Sequence, residues 1–67
     1  MNISNRIIEL RKSKGISRRE LAEAIGYGQT IITYWESGER KPASDALIAL
    51  AKYFDVSADY LLGLKDE

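Results

Sequence analysis

Cysteine and histidine are both absent from the 67 residues, proline occurs once, and the formal net charge is zero. Without cysteine, neither a disulfide nor a thiolate metal site can support the core. Without histidine as well, most zinc chemistry and the usual general base are lost. No nucleophile–base pair of ordinary type remains, so neither catalysis nor a metal or cofactor is expected. No apolar run approaches the roughly 20 residues that a membrane span needs. Residues 1–14 carry Arg6, Glu9, Arg11, Lys12 and Lys14, which does not suit the apolar segment of a secretory signal. A cytoplasmic protein is the default expectation. A chain this short forms one domain and buries only about 60% of its unfolded surface, so its stability should be modest.

The zero net charge hides an asymmetry. Residues 1–41 hold eight basic side chains against five acidic ones, whereas residues 42–67 hold two against five. An imbalance between halves hints at polyanion binding on one face. On charge alone, a small domain with solvated charges of both signs fits equally well.

Glycine, proline and serine punctuate the chain into five helical segments, about 3–14, 18–25, 29–37, 44–54 and 58–63. Ile3, Ile7 and Leu10 repeat at helical spacing and stop before Gly15. Ser17-Arg18-Arg19-Glu20 is a capping box, which starts the second helix. Gly26 and Gly38 close the second and third. Pro42 breaks the chain before the fourth, whose apolar stripe is Leu47, Leu50, Ala51 and Phe54. Ser57 caps a short fifth helix closed by Gly63. Residues 30–35, T-I-I-T-Y-W, favour a strand by propensity alone. Nothing else in the chain could pair with a strand there, and a lone strand would leave its backbone groups unsatisfied, so the expectation is a helix.

The turn between the second and third helices has a readable logic. Ala22 must be small because the third helix crosses close to it. Gly26 supplies a positive φ that lets the chain swing round. Ile25, Tyr27, Ile32 and Trp35 face inward between the two helices.

From about Arg6 to Leu62 the chain resembles the phage-repressor and Cro-type, XRE-like helix-turn-helix domains. The matching blocks are R-I-I-E-L-R-K-S-K-G-I-S, S-R-R-E-L-A-E-A-I-G, I-T-Y-W-E-S-G-E-R-K-P and D-V-S-A-D-Y-L-L-G, in order and at the right spacing. The resemblance implies an all-α, compact five-helix lambda-repressor-like fold whose third helix enters the major groove of double-stranded DNA. It implies base reading by Gln29, Thr30, Thr33 and Tyr34, with Gln29 suited to adenine N6 and N7. Tyr34 stands where such helices often carry Arg or Gln, and Ile31 is a further candidate for an apolar base edge.

Phosphate contacts are expected from Arg18, Gly28, Arg40 and Lys41, with Arg19 a weaker candidate. Two of these depart from the family pattern. Arg18 replaces a usual Gln and opposes the dipole at the start of its helix, a cost that a bound phosphate would offset. Gly28 replaces a usual Ser or Thr cap and leaves amides open to an anion. By the same resemblance Arg11 and Glu36 form a buried structural ion pair.

The function implied by the resemblance is sequence-specific regulation of transcription, by preference repression, with a homodimer acting on a palindromic operator. Leu62 and Leu64 are candidates for the dimer edge. Such a protein would be bacterial or phage-encoded and associated with the nucleoid. Two alternatives stay open: the antitoxin of a toxin–antitoxin pair, and a protein-interaction module that has lost DNA binding.

Overall fold

The computed structural model describes residues 2–66 and contains five helices in that range: α1 (Ile3–Lys14), α2 (Arg18–Ile25), α3 (Gln29–Ser37), α4 (Ser44–Phe54) and α5 (Ala58–Leu61). Three of the five helix starts are set by side chains within a turn of the helix end. The Asn5 amide donates to Asn2 Oδ1 at 2.9 Å and starts α1. At α2 the Glu20 amide donates to Ser17 Oγ, and the Ser17 amide donates to Glu20 Oε1, each at 3.0 Å. This is the complete reciprocal box, which satisfies two amides that a helix start otherwise leaves open. The Tyr60 amide donates to Ser57 Oγ at 3.0 Å to start α5.

The turn after α2 depends on Gly26, which sits at φ 78°. Its amide and that of Tyr27 both donate to the Ala22 carbonyl at 2.9 Å. A Cβ at Gly26 would meet nothing within 4 Å. The requirement is therefore the left-handed backbone, not space.

The fifth helix is shorter than expected, ending at Leu61 instead of residue 63. Gly63 adopts φ 79°. Its amide donates to the Tyr60 carbonyl at 3.1 Å, and the Leu64 amide reaches back to the Asp59 carbonyl at 2.8 Å. The left-handed glycine thus takes the last residues off the helical ladder before it can extend.

Each helix contributes one fully buried side chain to a shared centre: Ile7, Leu21, Ile32, Leu50 and Leu61. Ala22 and Ala46 are buried beside them. The third helix packs on α1 and α2, α2 on α4, and α5 closes against α1 and α4. Residues 30–35 are helical throughout, despite their strand-like composition. Burial of Ile32 and Trp35 outweighs the few tenths of a kcal/mol per residue that propensity sets against it.

Arg6, counted in the sequence only as a charge, is buried. Its guanidinium lies 3.8 Å from the centroid of the Tyr60 ring. Nη1 pairs with Glu9 at 3.4 Å, and Nε is buried without a partner. It ties α1 to α5 largely through stacking.

Candidate nucleic-acid interface

The third helix has two unlike sides. Ile32, Trp35 and Glu36 are buried, while Gln29, Thr30 and Thr33 are exposed and Tyr34 is half-buried. Residues 29, 30, 33 and 34 fall one and four apart, so they share one face. The inner side is braced by an edge-on contact between Tyr27 and Trp35, with ring centroids 5.3 Å apart. Ile31 is half-buried against the core, which leaves less of it available than of the exposed Thr30 and Thr33. The Thr33 hydroxyl donates to the Gln29 carbonyl at 3.3 Å, so it offers a methyl group and acceptor lone pairs outward.

Glu36 is the electrostatic centre of the α2–α3 pair. Its carboxylate accepts from Arg11 Nε at 2.7 Å and Nη2 at 3.3 Å, while Arg11 Nη1 donates to the Ile16 carbonyl at 2.9 Å. Arg18 joins this pair: its Nε donates to Glu36 Oε1 at 2.8 Å. Sequence reasoning sets Arg18 apart from the Arg11–Glu36 pair and misses this bond. One signal points to the link. An arginine opening a helix opposes the dipole there and calls for an anion, and the anion within reach is Glu36. Arg18 remains half-exposed, and the cluster carries two cations on one carboxylate. Arg19 lies outside it, pairing in solvent with Glu23 at 3.4 Å.

Beyond α3 the chain reverses at Gly38, with φ 85°. The amides of Gly38 and Arg40 both donate to the Tyr34 carbonyl, at 3.1 and 3.3 Å. This reversal carries the Arg40 guanidinium over the Tyr34 ring, 4.9 Å from its centroid. Arg40 and Lys41 are exposed and border an open groove of about 490 Å³ with an apolar floor that includes Ile31 and Trp35. Gly28 and Ala43, the N-caps of α3 and α4, also line it. Neither supplies a side-chain cap, unlike Asn2, Ser17 and Ser57 at the other three helices.

A profile of the helix-turn-helix family matches residues 7–61, which span α2, the Gly26 turn and α3. The chain belongs to the helix-turn-helix family. Among its relatives is the uncharacterized HTH-type transcriptional regulator YobD of Bacillus subtilis, 40% identical over 62 residues, covering 92% of this chain and 55% of that protein. The HTH-type transcriptional regulator ImmR of the same organism is 37% identical over 67 residues, covering 100% of this chain and 52% of that protein. The chain therefore spans about half the length of these relatives. Among solved structures, the P22 c2 repressor in complex with a synthetic operator superposes with a TM-score of 0.90 at 32% identity, covering 97% of this chain and 98% of that one. The helix-turn-helix here is thus of the phage-repressor type, and the all-α five-helix fold is the fold of these repressor domains. No helix among the described residues is long and apolar enough to cross a membrane.

Proposed function

We propose that this chain binds double-stranded DNA sequence-specifically and regulates transcription, as a repressor. The observation that carries this reading is the division of α3, with Ile32, Trp35 and Glu36 locked into the domain, Gln29, Thr30 and Thr33 exposed, and Tyr34 half-buried beside them. In this reading α3 lies in the major groove. Gln29 opens the helix and pairs with adenine, Thr30 and Thr33 meet thymine methyls or bond base edges, and Tyr34 reads one turn further along.

Arg40, Lys41 and the uncapped starts of α3 at Gly28 and α4 at Ala43 grip one phosphate strand around the apolar groove, where free first-turn amides favour an anion. Arg18 contributes a contact from a guanidinium already oriented by Glu36. Two copies on a palindromic operator place their third helices about 34 Å apart, on half-sites about 10 base pairs apart. Leu62 and Leu64, 41% and 72% exposed, are the proposed dimer edge. Such a regulator works in the cytoplasm, on the nucleoid.

Selection from a random duplex pool tests the reading. The expected result is an enriched inverted repeat with half-site centres about 10 base pairs apart. Retention of duplex with no enriched sequence overturns specific readout. The absence of retention even at low salt overturns DNA binding and leaves a protein-interaction module.

A further inference from the structure

Arg40 and Tyr34 are joined twice. The Arg40 amide donates to the Tyr34 carbonyl at 3.3 Å, and the guanidinium carbon lies 4.9 Å from the Tyr34 ring centroid. That carbonyl also accepts from the Gly38 amide and the Ser37 hydroxyl, each at 3.1 Å. Two of these donors, the Gly38 and Arg40 amides, pin the post-helix turn to the last turn of α3. The root of Arg40 is therefore held against residue 34 by backbone geometry, and the side chain has only to fold over the ring.

We propose that Arg40 is a specificity-determining residue, which holds the Tyr34 ring in its reading orientation by stacking on it; this rests on the reading of Tyr34 as a base contact. A half-buried tyrosine on a helix face can swing between χ1 wells. A planar cation over the ring favours one of them. The Arg40 guanidinium has no side-chain hydrogen bond or ion pair among the described residues, so its N–H groups can meet a phosphate oxygen while its carbon stays over the ring. One side chain thus joins the backbone grip to the base readout: engagement of the phosphate steadies the cation that steadies the ring. A residue that merely held a phosphate would weaken every sequence alike and leave base preference untouched.

Lysine keeps the charge but loses the planar fork, and its ammonium is still drawn to a tyrosine ring, so alanine is the variant that removes the ring contact altogether. The test measures affinity of parent, Arg40→Lys, Arg40→Ala, Tyr34→Ala and Arg40→Lys/Tyr34→Ala proteins. The probes are the top duplex from the random-pool selection and its single-base variants, each at several salt concentrations, with thermal melts confirming that every variant is folded.

Arg40→Lys is expected to keep the salt slope while losing up to about two-fold in preference at the base positions that Tyr34→Ala also relaxes. Arg40→Ala is expected to lose about two- to five-fold in that preference, and about 0.9 of salt slope per bound protomer as well. On the Tyr34→Ala background, Arg40→Lys is expected to change preference no further. If Tyr34→Ala relaxes preference but neither Arg40→Lys nor Arg40→Ala does, the positioning role is overturned and the Tyr34 readout stands. If Tyr34→Ala leaves every base preference intact, the readout falls and the positioning role falls with it.

Discussion

α2 and α3 are neighbours of almost equal length, 8 and 9 residues, yet they are finished differently. The start of α2 is closed by its own side chains, Ser17 and Glu20, and its one cation near the core, Arg18, is held by Glu36. The start of α3 has a glycine cap with no side-chain bond, and its outer face has little to bind within the domain. The difference separates a supporting helix from an offered one. A prop must satisfy its polar groups internally to be rigid, whereas a reading helix must keep amides and side chains unsatisfied until a partner supplies acceptors.

The contrast can be broken most severely at Glu36. Glu36→Ala leaves two guanidiniums without their carboxylate, one of them buried, and is expected to cost about 3–5 kcal/mol of stability in a denaturant titration. Arg11→Ala should fall short of that range, because Arg18 still pairs with the carboxylate. An Arg11→Ala loss as large as that of Glu36→Ala would show Arg18 to be a bystander.

On the offered helix the expected effects lie in binding, not folding. Gln29→Ala, with an unchanged thermal melt, and Tyr34→Ala, with a melt lowered only by the loss of its half-buried ring, should each cost about 1–3 kcal/mol on the selected duplex. Equal losses on selected and scrambled duplexes would remove these residues from base readout. Arg18→Ala should weaken all duplexes uniformly and lower the salt slope by about 0.9 per bound protomer if its free nitrogens meet a phosphate. An unchanged slope would make Arg18 purely a partner of Glu36.

The smallest and sharpest change makes α3 resemble α2. Gly28→Ser has room, since a Cβ there meets nothing within 4 Å. The new cap should stabilise the domain by a few tenths of a kcal/mol while occupying an amide that the phosphate would use. Stability and DNA affinity are therefore expected to move in opposite directions, and a rise in both would remove the α3 amides from the phosphate grip.

Helix limits are legible in the sequence because the groups that set them are local. Asn2, Ser17 and Ser57 each cap an amide three residues on, and Gly15, Gly26 and Gly38 each turn the backbone where they stand. The outer face of α3 is legible too, since a helix of known register divides its residues by spacing alone. The proposed site's internal wiring is not. Glu36 meets Arg11 and Arg18 from 25 and 18 residues away. The stack of Arg40 on Tyr34 depends on a chain reversal whose direction is set at Gly38.

Local chemistry thus placed the starts of α1, α2 and α5 and most helix ends, because capping and left-handed glycine act within a single turn. Packing in three dimensions was needed to make residues 30–35 coil instead of extend, to bring Arg18 to Glu36, and to bury Arg6 on Tyr60. Those outcomes depend on which surfaces meet, and burial of Ile32 and Trp35 in the shared core is a stronger force than any local preference of the residues that carry it.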